Sequence, residues 1–155
     1  MRYHQVSPNQ VPLALLLEAD PSEASIKRYL PYAWCFVATE NTDIRAACIV
    51  APIEYQETQD TPTVVEIFNV SVHAEYQQQG IGSKLLKFAI ISLKEKGVIR
   101  VELGTGAFGY QLTYYHRLGF RIDSVLKDHF LDHYTDPIFE NGIQHKDMLR
   151  LYLNI

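Results

Sequence analysis

A mixed α/β fold is what this sequence predicts, and three observations carry the prediction. Short apolar, β-branched runs of strand length lie at 34–40, 44–53, 64–72 and 98–103. One long segment, 80–96, carries its apolar residues at helical spacing. The glycine-containing stretch QQQGIG joins the third run to that helix, so residues 64–103 form a strand–helix–strand unit. Such a unit at the centre of the chain implies a mixed sheet with helices on both faces.

The elements follow in order. PNQVPLALLLEA is expected to form a short apolar helix. DPSEASIKRYL reads as a second, with Asp20 as N-cap, Pro21 in the first turn and Glu23 completing a capping-box pattern. The runs 34–40 and 44–53 are joined by the polar turn ENTD and read as a hairpin. YQETQDTPT is a polar loop, and VVEIFNVSV (64–72) is a central strand. On the helix from Gly80 to about Lys96, Leu85, Leu86, Ala89, Ile90 and Leu93 share one face, and Gly97 ends it. VIRVEL is a strand, GYQLTYYHRL a short helix closed by Gly119, and FRIDSVL and DMLRLYLNI the last two strands, with a mixed loop between them.

The totals bound the function. A chain of 155 residues suits one domain, 1–155, with a sizeable core. No segment approaches transmembrane length, and LALLL is too short and lacks the basic flank of a signal peptide. The expectation is a cytoplasmic protein with no membrane partner. A formal charge of −4 without a basic stripe argues against nucleic acid. Cys35 and Cys48 lie in apolar strand-like runs and read as two buried thiols, a disulfide being unusual in a reducing compartment. His129 and His133 have helical spacing among Asp128, Asp132 and Asp136, a pattern common by chance, and no metal is expected.

The chemistry begins at QQQGIG. The first turn of a helix offers free N–H groups and partial positive charge. Glycine lets a ligand reach that backbone, and phosphate is the fitting ligand. A Walker loop is ruled out, because Gly82 is followed by Ser83 and then Lys84 with no glycine five positions before. A second glycine motif, GTGAFG at 104–109, is a literal Gly-x-Gly-x-x-Gly, with Asp123 downstream where a ribose ligand would stand. A nicotinamide dinucleotide would be its partner, but only 46 residues follow Gly109, too few for the remaining strand–helix units.

VSVHAEYQQQGIGSKLL resembles the pyrophosphate-binding motif of the GCN5-related N-acetyltransferase (GNAT) superfamily, Gln/Arg-x-x-Gly-x-Gly/Ala, with Gln77, Gly80 and Gly82 at its defined positions. The likeness continues through VIRVELGTG and YYHRLGFRI. It implies the acyl-CoA N-acyltransferase fold, acetyl-CoA as co-substrate held by Gln77, Gln78, Gln79, Gly80, Ile81, Gly82 and Ser83, and main-chain contacts from Val70 and Val72 to the pantetheine and acetyl units. It implies Tyr115, in YYHRLGF, as the acid that protonates the CoA thiolate. Phe108 stands where the family often has asparagine.

Glu66, eleven residues before Gln77, matches the catalytic glutamate of the histone acetyltransferase branch. Its other readings are a polar residue at the strand mouth or an arginine partner, with ordered water as the base. His73 and His116 are weaker candidates. The resemblance implies an amine of a small molecule or peptide as the acceptor. DHFLDHYTDPIFENG is rich in rings and acids, which suits a cation, so Tyr134, Asp136 and Glu140 are the expected amine contacts. Packing of that loop onto the core, or onto a second copy in a homodimer, is the alternative. A silent acyl-CoA-binding module is the alternative to an enzyme.

Overall fold

The structure, a computed structural model, describes residues 1–53 and 62–155. They form two compact units, residues 1–99 with Ile155, and residues 100–154. Most of the polar loop expected at 55–63 lies outside the described residues.

The first unit holds strands β1 (Arg2–Val6), β2 (Trp34–Glu40), β3 (Asp43–Pro52) and β4 (Val64–Val72), and helices α1 (Leu13–Leu17), α2 (Glu23–Tyr29) and α3 (Ile81–Glu95). The strands run β1-β2-β3-β4, each antiparallel to its neighbour. Covering both faces explains the near-continuous apolar runs of β2 and β3, where Cys35 to Ala38 and Ala46 to Val50 have no exposed surface. Leu15 and Leu16 of α1 and Ile26 and Tyr29 of α2 cluster with Cys35, Val37, Ala47, Ile49 and Ala51. The alternate residues face the other way, where Phe36 meets Phe88 of α3 edge-to-face at 6.1 Å.

Three expectations for the N-terminal third are corrected. Residues 2–6 form an edge strand, with Tyr3 opposite Ala38 and Val6 opposite Cys35. RYHQV has little β-branched character of its own, and its pairing with β2 decides its conformation. The helix expected over 8–19 is broken by its prolines into a 3-10 turn, Pro8–Gln10, and the single turn of α1, with Pro12 at its N-cap. The N-cap of α2 is Ser22, whose Oγ accepts the Ser25 N–H at 3.1 Å, and not Asp20. Asp20 is buried instead, accepting from the Ser22 N–H at 3.1 Å and the Tyr29 hydroxyl at 3.4 Å.

Asp20 ends a buried polar chain. Ser71 Oγ donates to Asn69 Oδ1, and Asn69 Nδ2 donates to the Leu16 carbonyl at 3.0 Å and the Tyr29 hydroxyl at 3.1 Å. One side chain thus ties β4 to both short helices, which are too brief to persist alone. Asn69→Ala leaves the Leu16 carbonyl without that donor and is expected to lower unfolding free energy by about 1–3 kcal/mol. Urea denaturation followed by Trp34 fluorescence measures this, and an unchanged midpoint would refute it.

The second unit contains β5 (Arg100–Gly106), α4 (Tyr110–Arg117), β6 (Arg121–Leu126), α5 (His129–His133), β7 (Phe139–Glu140), β8 (Ile143–Gln144) and β9 (Met148–Asn154). β9 pairs antiparallel with both β5 and β6. Val101, Leu103, Tyr115, Phe120 and Leu151 are buried. The segment expected as a mixed loop is more regular. It holds α5 and the hairpin β7–β8, whose turn residues Asn141 and Gly142 both have positive φ, 52° and 77°. Asn-Gly is the pair such a turn demands. No helix among the described residues is long and apolar enough to cross a membrane.

Candidate active site

The turn from β4 into α3 is built for an anion. A 3-10 turn, Ala74–Tyr76, leaves β4, and Gln78 and Gly80 then take left-handed conformations, φ 60° and 79°. Gly80 is the N-cap of α3, with no side chain capping the helix and no acid in its first turn. The ladder starts where the Lys84 N–H meets the Gly80 carbonyl at 3.1 Å, so the preceding N–H groups point out of the helix mouth. A Cβ on Gly80 would meet no protein atom within 4 Å, whereas one on Gly82 would touch Val72 at 3.3 Å. Gly80 is therefore required by its φ and leaves open space, while Gly82 also lets the helix sit close to β4.

The glutamines shape this turn. Gln77 Nε2 donates to the Val72 carbonyl at 3.0 Å, and Gln79 Nε2 to the Glu75 carbonyl at 3.2 Å. Both tether the loop without placing negative charge beside the helix mouth. Tyr76 braces it further, donating to Glu40 at 2.5 Å with the Arg45 guanidinium 4.9 Å from its ring centre. The bond to Glu40 raises the Tyr76 phenol above its ordinary pKa.

β4 carries a bulge at the start of FNVSV. The register moves from Asn69 opposite Ile49 to Ile67 opposite Val50, which leaves Phe68 as the extra residue. Val70 and Val72 lie beyond the bulge, opposite Cys48 and Ala46. Glu66 lies before it, half-buried and opposite Ala51. The bulge reverses the strand's inside–outside alternation, so Phe68 and Asn69 both reach the α1–α2 side, where Phe68 stacks on Tyr29 at 4.8 Å. There Ser25, Arg28, Tyr29, Tyr32 and Phe68, with the end of β3, line a pocket of about 330 Å³. The amphipathic pattern of α2 gave no sign of this pocket, because it depends on Phe68 being displaced by the bulge.

In the second unit Tyr115 is buried on α4, its ring edge-on to Phe120 at 5.7 Å and to Tyr114 at 5.3 Å. Gly119, with φ 101°, turns the chain so that the Phe120 N–H bonds the Tyr115 carbonyl at 3.1 Å. His116 is exposed, its Nδ1 2.8 Å from the Leu112 carbonyl, and His73 in the first unit caps the 3-10 turn.

GTGAFG proves to be a packing device. A Cβ at Gly104, Gly106 or Gly109 would run into Met148, the His145 ring or the Glu140 carboxylate. The buried His145 ring lies parallel to Phe108 at 4.1 Å and bonds Glu140 through Nε2 at 3.1 Å. β5 therefore extends to Gly106 as a tightly covered strand. Asp123, the would-be ribose ligand, instead pairs with Arg100 at 3.7 Å. Of the expected acceptor residues, Glu140 is the partner of His145, Tyr134 packs near Phe130 at 5.9 Å between ring centres, and Asp136 is exposed. His129 and His133 stack on one another at 4.3 Å, and burial of His129, with His133 beside it, lowers its pKa.

The family model of the acetyltransferase (GNAT) domain matches residues 31–122. The chain belongs to the GNAT family. This acetyltransferase is 38% identical over 142 residues to the uncharacterized N-acetyltransferase YvbK of Bacillus subtilis (strain 168), covering 91% of this chain and 87% of that protein. It is also similar to a GNAT family acetyltransferase from Elizabethkingia anophelis solved with acetyl-CoA bound, at 35% identity and a TM-score of 0.88, over 99% of this chain and 97% of that one. A Bacillus subtilis acetyltransferase solved in complex with CoA aligns at 35% identity and a TM-score of 0.85, over 99% and 98% of the two chains. The acetyltransferase thus has the GNAT-type mixed α/β fold expected of it. The mouth of α3, uncapped and without acid in its first turn, suits an anion.

Proposed function

We propose that the protein transfers the acetyl group of acetyl-CoA to a primary amine by direct attack in a ternary complex. The observation that carries this reading is the helix mouth at Gly80, left-handed, uncapped and without acid. Gln77 to Ser83 hold the pyrophosphate through backbone N–H groups, and main-chain groups of Val70 and Val72 align the pantetheine and acetyl units like an added strand. An alkyl ammonium has a pKa near ~10, so the amine must lose a proton before attack. Glu66 accepts it. The nitrogen–carbon bond forms as the carbon–sulfur bond breaks, Tyr115 donates its phenolic proton to the departing thiolate, and the second proton shed by the nitrogen as it becomes an amide passes through solvent to restore the phenol.

The direct test is release of free CoA thiol on a panel of primary amines. Acetyl-CoA binding with no turnover on any of them would instead mark a silent acyl-CoA-binding module. Glu66→Gln is expected to flatten the alkaline rise in kcat/KM that appears when base and amine must both be deprotonated. A wild-type pH profile in this variant would hand the proton to water and leave Glu66 a structural role.

A further inference from the structure

We propose that the pocket on the α1–α2 face of the first unit binds the acceptor, and that it selects an aliphatic amine bearing an aromatic ring and an anionic group, of the class of a free aromatic amino acid. This rests on the acetyl-transfer reading above and names its substrate class.

The pocket's size, floor and rim point the same way. About 330 Å³ is at the lower end of small-molecule sites and excludes a large acceptor from full enclosure. The floor is aromatic. Tyr29 and Phe68 stack with only 15° between ring planes, and the Tyr29 hydroxyl is fixed by Asp20 and Asn69. Tyr32, 55% exposed, stands at the side as a third ring. Such a surface favours a planar apolar body over a flexible chain of methylenes.

The rim supplies the charge. Arg28 and Ser25 are three residues apart on α2, one turn of the same face, and both line the pocket. Arg28 makes no ion pair among the described residues, whereas its neighbour Lys27 is held by Glu23 at 3.1 Å. A guanidinium with a hydroxyl beside it is a carboxylate receptor. Among the described lining residues the one charged group is the Arg28 cation and none is acidic, which disfavours a polycation.

The opposite charge lies on β4. Strand alternation before the bulge puts Glu66 on the same face as Phe68, and its cross-strand partner Ala51 lines the pocket. An acceptor with its ring against the Tyr29–Phe68 stack and its carboxylate on Arg28 therefore turns its ammonium toward the base.

The test compares L-phenylalanine, L-phenylalaninamide and spermidine as acceptors at saturating acetyl-CoA. Phenylalanine is expected to exceed its amide in kcat/KM by ~10–100-fold, the worth of one charge-assisted contact. Arg28→Gln should bring that ratio near one by raising KM for phenylalanine, with KM for acetyl-CoA unchanged, and Arg28→Lys should recover part of it. Equal use of acid and amide, preference for spermidine, or an undiminished ratio in Arg28→Gln would overturn the proposal. Binding of 3-phenylpropanoate, which has no amine to acetylate, is read separately by saturation-transfer NMR in the presence of CoA. Its binding to wild type and loss in Arg28→Gln supports the pocket even without turnover, and no binding refutes it. Failure of acetyl-CoA itself to bind would instead sink the acetyl-transfer reading.

Discussion

Gly80→Asp is expected to abolish acetyl-CoA binding in an otherwise folded protein. Two effects act together. At φ 79° a residue with a Cβ costs roughly 1–2 kcal/mol unless the turn reshapes. The larger effect is electrostatic, because the carboxylate competes for the N–H groups that receive the pyrophosphate and places a like charge beside it. Gly80→Ala separates the two. Its methyl meets no protein atom within 4 Å, so it carries the backbone cost and any clash with the ligand, but no charge. Calorimetric titration should show partial loss for alanine and no measurable heat for aspartate. A near-native dissociation constant in Gly80→Asp would falsify the assignment of this loop.

Tyr115→Phe should leave acetyl-CoA affinity intact and slow the chemical step by ~10²–10⁴-fold, the usual cost of losing a positioned proton donor. The ring contacts to Phe120 and Tyr114 do not need the hydroxyl, so the variant keeps its packing. Tyr114→Phe is the control and should do far less. Single-turnover rates decide, and a larger fall for Tyr114 would mean that the other phenol is the acid.

These two variants also mark what was legible in the sequence. Gly80 and Gly82 could be read as a strand-to-helix turn because a φ of 79° and a helix start packed against Val72 both call for residues without a side chain. The strand 64–72 and the helix after it were equally plain, alternate residues of the strand and one stripe of the helix, Leu85, Leu86, Ala89 and Leu93, being buried. β1 was not legible, since its partner and not its own side chains makes it a strand. The cap of α2 was displaced by two residues because Asp20 is held by Tyr29, nine positions away. The glycines of GTGAFG could be seen but not explained. Their reason lies with Glu140, His145 and Met148, roughly thirty to forty-five residues downstream. The hairpin at Asn141-Gly142 was written locally and was passed over.

The two cysteines have a practical consequence. Cys35 faces Ile49 across the strands while Cys48 faces Phe36, so the thiols point to opposite sides of the sheet and both are free. Burial pushes Cys35 up to about 11 and Cys48 up to about 12 from an ordinary 9.0. The folded chain therefore holds its thiols protonated where the unfolded chain ionises them. Their contribution to stability is complete below pH 9 and is lost as pH rises toward 12. Alkaline titration of the melting temperature should show that decline, and Cys35→Ser/Cys48→Ser should blunt it. Below pH 9 a disulfide reagent meets no reactive sulfur on the native molecule. The same reagent thus serves as two meters: with folded protein every equivalent consumed is CoA released, and with denatured protein two equivalents per chain count the molecules that have lost their structure.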